Sequence, residues 1–468
     1  MHIRSASRGR VKPPGYDGDS EVTKGAPLFA RGNAASSRHQ PSYSGDCLRL
    51  ADVLLRIVAA LVGSLLAALL LSACSSPTTR QPIERRLSAE WTTIGHDSGR
   101  TSSSPVQGPA QPSLAWVASN LPDPVWLHTA IILPDKSQVS YYGNRLFRLD
   151  GSGRVLWSRM LAGRISGAAL GIAPTTIYVS AGTVLSAIRL DGKQEWTFQT
   201  GKPLRMRQGD GSWLYFSSVS GPAVAEDGTV YIGSGEGKLY AVSPEGAKKW
   251  ETGGVSAPIN SMPSVGPGKD IYFTSGDGFL RASTSGGRIR WEYRIERRKP
   301  ARPNLPATSD YWGFRGVPAV SYEGVIYVSS WSEGTVYAID PRGRLLWSTR
   351  LPMVGRNQRG AGELALADDG TVYVGGKGLF ALDSQGRKKW SFGEELGRLS
   401  PPIVDVDSTV YFRRDRDKTL YAISSTGKEK WTVDARRIRP AAYFGATLAL
   451  GADGALYCGG AAFNDGDD

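Results

Sequence analysis

GTVYIGSGEGKLYAVSPEGAKKW, residues 228–250, carries the unit from which most of this chain is built. An Asp227-Gly228 turn leads into Thr229-Val-Tyr-Ile, a Gly-rich turn separates that run from Leu239-Tyr-Ala-Val, and Pro244-Glu245-Gly246 turns the chain again before Lys248-Lys-Trp250. Short β-branched and aromatic runs between such turns read as consecutive antiparallel strands. With Pro222-Ala-Val-Ala ahead of the first turn, the unit has four strands. Its apolar runs are nearly continuous, which implies sheets covered on both faces.

Outward from this unit the closing pattern recurs seven times: a glycine four residues before a tryptophan, with Leu or Val seven residues before the glycine. The pairs are Gly153/Trp157, Gly192/Trp196, Gly246/Trp250, Gly287/Trp291, Gly343/Trp347, Gly386/Trp390 and Gly427/Trp431. A spacing held through segments of 39 to 56 residues marks a repeat architecture. The opening hairpin occurs eight times, near His128, Ser166, Pro222, Met262, Val317, Glu363, Pro402 and Ala446. Eight openings against seven closings leave the last unit without its outer strand. Pro112-Ser-Leu-Ala-Trp116 has the right ending, and nothing like a unit precedes it. A ring with unjoined first and last sheets would expose two edges. The expectation is therefore an all-β, eight-bladed propeller of four-stranded antiparallel blades, closed by an N-terminal strand at 112–118 that completes the last blade. The inner strands of that blade fall within 444–460, and its third strand, Ala461-Ala-Phe463, is weak.

The 468 residues carry a net charge of +13 with only four His and three Cys. Residues 74–468 keep +9, a moderately basic surface suited to anionic lipid, glycan or an acidic protein face. No basic helix or nucleic-acid motif accompanies it, so nucleic acid is not an expected partner. Cys47, Cys74 and Cys458 have neither metal-ligand nor redox spacing.

Residues 57–73, IVAALVGSLLAALLLSA, follow Arg49 and Arg56 and end at Cys74. A positive n-region, an apolar h-region and small residues at the cleavage point read as an export signal. Leu71-Ser-Ala-Cys74 resembles the bacterial lipobox, which implies lipidation of the Cys74 thiol. An uncleaved membrane anchor is the competing reading of the same stretch. The domain boundaries are then 1–45, a disordered or misassigned extension; 46–73, a lipoprotein signal peptide; 74–89, a tether reaching roughly 20–25 Å as a flexible coil; and 90–465, the propeller.

The repeats at 228–250 and 370–390 look like the pyrroloquinoline-quinone-type propeller repeat, and Trp91-Thr-Thr-Ile-Gly-His-Asp-Ser-Gly-Arg-Thr101 resembles the lead-in of its lipoprotein members. In that family the repeated tryptophan docks between blades on the next glycine-containing turn. The resemblance implies this structural role for Trp116, Trp157, Trp196, Trp250, Trp291, Trp347, Trp390 and Trp431. A tryptophan at one fixed sheet position beside a glycine leads to the same expectation, since the ring has a large area to bury.

Quinone-dependent dehydrogenases share the repeat. The resemblance would then require a vicinal Cys-Cys pair and a calcium held by Glu, Asn and Asp. Cys458 is the only thiol of the mature domain besides Cys74, so that pair cannot form. Asp405-Val-Asp407, Asp415-Arg-Asp417 and Asp465-Gly-Asp467-Asp468 lack the remaining parts of a calcium loop and read as turn carboxylates. No nucleophile elbow or triad is supported. The expectation is a non-enzyme with no cofactor and no metal site.

Two blades carry extra length. Arg205-Met-Arg207 to Trp213-Leu-Tyr215-Phe216 forms the first insertion. The second runs from Arg294 to Arg315, with Arg297, Arg298, Arg302, Tyr311 and Trp312 between. Long inserts on rigid scaffolds tend to carry function, and Arg with Tyr and Trp is the composition of interface hot spots. Arg294, Arg297, Arg298, Arg302, Tyr311, Trp312 and Arg315 are the candidate partner-binding residues. The sequence reads as a lipid-anchored bacterial envelope scaffold, at the outer membrane facing the periplasm. It is similar to the lipoproteins of the family that serve outer-membrane β-barrel assembly, which implies envelope proteins, including β-barrel assembly subunits, as partners. The alternatives are a quinone-dependent envelope enzyme and a glycan- or peptidoglycan-binding module.

Overall fold

Wherever the repeat unit occurs, it forms four antiparallel strands in chain order. A computed structural model of the chain describes residues 91–465 except 119–120, 122–126, 173–174, 202–203, 208–212, 217–218, 256, 260, 296–315, 331–332, 353–361, 398, 415–418 and 435–446. The expected extension, signal peptide and tether, with Cys74, lie outside the described residues.

Seven blades open with the strands His128–Ile132, Ile165–Leu170, Ala223–Val224, Ser264–Val265, Ala319–Val320, Leu364–Leu366 and Ile403–Val404. They close with Val155–Met160, Gln194–Gln199, Lys248–Glu251, Ile289–Arg294, Leu345–Arg350, Lys388–Phe392 and Glu429–Val433. Blade 8 is composite: Leu448–Leu450, Leu456–Cys458 and Ala461–Asp465, with Pro112–Val117 as its outermost strand. Pro112 pairs with Asp465 and Val117 with Ala461, so the N-terminal strand closes the ring. The third strand, faint in sequence because Ala461 and Ala462 are small, is complete and gives this blade four strands.

The opening strands touch one another in cyclic order, from blade 1 through blade 8 and back. They are therefore innermost and line a central channel. All of them run the same way along it. Each blade's first-to-second and third-to-fourth turns consequently lie at one mouth, and the connections between blades at the other.

Eight apolar clusters fill the joints between neighbouring blades, one to each joint. In blades 1–7 the third and fourth strands slip register by one residue at the same place, which sets each tryptophan opposite Arg148, Ala187, Ala241, Ala282, Ala338, Ala381 or Ala422. The ring then lies on the turn glycine of the next blade: Trp116 on Gly153, Trp157 on Gly192, Trp196 on Gly246, Trp250 on Gly287, Trp291 on Gly343, Trp347 on Gly386 and Trp390 on Gly427. The indole N–H of Trp196 donates to Pro244 O at 2.8 Å, and Trp157, Trp250, Trp291, Trp347 and Trp390 make the corresponding bond. Trp431 instead donates to Pro109 O in the N-terminal segment, at 2.8 Å. At Gly246, φ is +89° and a Cβ would come within 2.7 Å of the Trp196 ring, so no other residue fits that turn.

Candidate functional site

The channel's two mouths are built differently. An innermost strand has a neighbour on one side only, so its channel-facing N–H and C=O groups need another partner. At one mouth the chain supplies it. Residues 91–104 are mostly small and polar, and they cross the channel end at the last residue of the innermost strands. Ile132 N–H donates to Trp91 O (2.9 Å), Leu170 to Thr92 O (2.8 Å), Val265 to Ser98 O (2.8 Å), Val320 to Gly99 O (2.8 Å), Leu366 to Thr101 O (2.9 Å) and Val404 to Ser102 O (2.9 Å). Blades 1, 2, 4, 5, 6 and 7 are thus stitched to one segment. To make these turns, His96, Arg100 and Ser102 adopt positive φ (76°, 57° and 54°), a strained backbone that the surrounding bonds hold in place.

Arg100 ties in blade 3. Its buried guanidinium donates to Pro222 O (2.9 Å), Pro263 O (2.9 Å) and Ile94 O (2.5 Å). Burial lowers its pKa to about 10, against the opposing pull of Glu363 and Asp97. Burial would raise Asp97, but its hydrogen bonds to His96 and Thr101 outweigh this and hold the carboxyl below its ordinary range. Across a cleft lined by Ile94, Met262 and Val317, Glu363 faces Arg100, and burial pushes the Glu363 carboxyl up while Arg100 opposes it. The enclosed part of that cleft has room for little more than a water molecule.

The opposite mouth lies at the starts of the innermost strands. His128 stacks on Tyr141 with ring centroids 5.2 Å apart. Burial, then Arg164 and Arg413, push the His128 pKa below 6.5, so the imidazole is neutral at pH 7. Arg294 ends the outermost strand of blade 4 at this mouth, with its guanidinium 5.3 Å over the Phe279 ring. Arg281 covers the same ring at 5.0 Å and is held by Asp277 (2.7 Å) and Glu292 (2.6 Å). The root of the second insertion is thus packed against its own blade. Arg297, Arg298, Arg302, Tyr311, Trp312 and Arg315 lie outside the described residues.

The described residues do not fit a quinone cofactor. Cys458 is buried inside blade 8 in the joint with blade 7. Met262 packs beside Gly167 and Gly221, its sulfur within 2.8 Å of where a Cβ on Gly221 would stand. Asp405 is used within its turn, accepting from Asp407 N, Thr409 N and Tyr411 Oη, and Asp465 accepts from Gln111 N. Among the described residues no three His, Cys, Asp or Glu side chains gather at metal-binding range.

The sequence profile described as outer membrane protein assembly factor BamB matches residues 115–258, 217–315 and 332–464, nearly the whole ring. The chain belongs to the BamB family. No curated protein sequence matches it. Among solved structures, BamB from Moraxella catarrhalis is 15% identical with a TM-score of 0.53, and the match covers 75% of this chain and 100% of that one. Quinohemoprotein alcohol dehydrogenase from Comamonas testosteroni is 13% identical with a TM-score of 0.55, covering 80% and 78%. The computationally designed Ika8 protein is 13% identical with a TM-score of 0.52, covering 76% and 97%. At these identities the structural likenesses speak for the fold alone, and BamB family membership rests on the profile.

Sequence reading named the Trp91–Thr101 stretch by resemblance but not as a channel plug. Its bonds are mostly main-chain, which leaves no side-chain pattern. The signal available was Gly95-His-Asp-Ser-Gly99, a run too irregular for a strand yet followed by a lone Arg100. Glu363 had a clearer mark: it is the one carboxylate among the eight hairpin openings.

Proposed function

We propose that this chain is a non-catalytic scaffold of the bacterial envelope, lipidated at Cys74 and held at the outer membrane facing the periplasm, where it supports outer-membrane protein assembly. The observation that carries the reading is the BamB family match across the ring. The plugged mouth adds direction: a partner meets the scaffold at the opposite mouth, where the blade-to-blade connections lie. Arg294 packs on Phe279 at the root of the second insertion, whose Arg and aromatic composition is that of interface hot spots.

Crosslinking in intact cells followed by purification tests this. Recovery of β-barrel assembly subunits is expected, and recovery of polysaccharide alone would sink it. Replacing Arg297, Arg298, Tyr311 and Trp312 together should reduce partner capture while the thermal unfolding midpoint stays unchanged. Labelled palmitate should enter the parent chain and not Cys74→Ser.

A further inference from the structure

At the mouth opposite the plug, the end of blade 1 is unlike its neighbours. Tyr142, the last residue of the blade's second strand, pairs with Arg145, the first of its third, and Arg145 pairs with Met160, the last of its fourth. Directly paired residues share one face of a sheet, so the three form a row across the blade. Met160 is 62% exposed and Tyr142 47%, whereas Phe147, in the next row on the same face, is 1% exposed. At the corresponding strand end blades 2, 4 and 5 carry the polar Gln199, Arg294 and Arg350.

The neighbouring blade explains the exposure. The face looks toward blade 8, since Phe147 belongs to the apolar cluster of that joint. Blade 8 turns early: its Gly459-Gly460 hairpin bonds to Thr129 and Gln138 and brings no side chain to the end of blade 1. On its other side the Tyr142–Arg145 hairpin is tied down. Leu161 N–H donates to Asn144 O (2.8 Å), and Ile165 N–H, from blade 2, donates to Gly143 O (2.7 Å). The second bond sets Arg164, exposed at the start of blade 2, beside the hairpin.

Charge separates this sector from the others. Among the described residues, the turns and connections of blades 8, 1 and 2 at this mouth hold no Asp or Glu, whereas blades 3–7 bring Glu236, Glu251, Asp277, Glu333, Glu394 and Asp434 to it. No hydrogen bond or ion pair engages the Arg145 or Arg164 guanidinium. Two such cations beside an exposed Tyr and Met have the composition of an interface hot spot, and their charge asks for an acidic partner. Spacing narrows the partner further. Neighbouring strands stand about 5 Å apart, so the row from Tyr142 to Met160 spans about 10 Å. Residues i, i+4 and i+7 on one face of an α-helix also rise about 10 Å.

We propose that Tyr142, Arg145, Met160 and Arg164 form a docking surface for an amphipathic helix of a partner protein that presents a carboxylate between two apolar side chains. The surface rests on the scaffold reading for its place in the cell, and it is separate from the Arg294–Arg315 insertion of blade 4.

The test uses the full-length chain and a labelled synthetic helix with Leu, Glu and Leu at positions i, i+4 and i+7, read by fluorescence anisotropy. Saturable binding is expected, and a helix with Lys in place of the central Glu should bind about tenfold more weakly or worse. Arg145→Glu should reverse that preference and Met160→Asp should weaken the Glu helix, while both variants melt with the parent. Hydrogen exchange in the parent should slow at residues 142–145 and 160–164. The proposal is overturned by equal binding of the two helices, by indifference to Arg145→Glu, by protection confined to another blade, or by capture of phosphatidylglycerol vesicles in place of the helix. A benzoylphenylalanine crosslinker at position 160 in intact cells separates the two readings. Assembly subunits recovered by general crosslinking but not through position 160 sink the surface and spare the scaffold; helix binding without recovery of those subunits does the reverse.

Discussion

The joint between blades 1 and 2 and the joint between blades 8 and 1 do the same work by different means. The first joins consecutive stretches of chain and buries a cluster running from Ile131, Val139 and Leu146 to Leu170, Ile177 and Ile188. The second brings the two ends of the domain together, and its own cluster among the described residues is Ala118, Leu127, Phe147 and Leu149. Both joints also carry hydrogen bonds, of different kinds. Across the first, Arg148 and Trp157 donate to Leu190 O (2.9 and 2.7 Å) and Arg159 to Gly192 O (3.1 Å), all from the outer part of blade 1 to the next blade's turn. Across the second, Gly459 N–H donates to Thr129 Oγ1 (2.9 Å), Gln138 Nε2 to Gly459 O (2.9 Å) and Thr447 Oγ1 to Thr129 O (3.0 Å), between residues more than 300 apart in sequence. Directional bonds suit a seam that must pick one partner and one register from afar.

The largest break is removal of the closing strand. Deleting 112–118 strips blade 8 of its outer strand and exposes Ala461–Asp465 as an edge. Loss of cooperative unfolding and self-association on size exclusion are expected; a sharp melt in a monomeric product would show that the seam is dispensable. Next comes the plug. Arg100→Met leaves Pro222 O, Pro263 O and Ile94 O without their donor and should cost about 2–4 kcal/mol by urea unfolding, with little rescue by Arg100→Lys, which cannot span three acceptors.

Thr129→Val sharpens the comparison at the seam itself. It removes two bonds to Gly459 at nearly constant volume and should cost about 1–2 kcal/mol, whereas Ile177→Val in the apolar joint should cost about 1 kcal/mol. Equal and negligible effects would mean that the seam's polarity is incidental. The smallest effect is a pH slope. The folded-state pKa of His128 is depressed, so below pH 6.5 the unfolded chain takes up the proton first and stability falls as pH drops. His128→Gln should flatten that slope between pH 6.5 and the carboxylate range, and an unchanged slope would locate it elsewhere.

What could be read in the sequence follows the same division. Blades 1–7 were legible because each repeats one spacing, from Leu146 to Trp157 through Leu420 to Trp431, and packing needs identical chemistry at each joint. The closing strand was legible through Trp116 alone. Thr129, Gln138 and Gly459 were not, since a polar seam between residues some 330 apart leaves no local pattern. The hairpin at 204–216 was recognised as added length. Its two runs, Leu204–Arg207 and Trp213–Phe216, were in plain view, but their pairing with each other was not assigned.

The plug and the closing strand have a consequence in time. Residues 91–117 leave the ribosome, and under the proposed export reach the far side of the membrane, before any blade exists. The plug has its partners as blades 1–7 form, but the closing strand finds its place only when Ala461–Asp465 has followed. Until then the chain is an open arc with two bare edges. The closing strand is among the first parts to arrive and the last to be seated, and ring closure waits on the final residues of the domain.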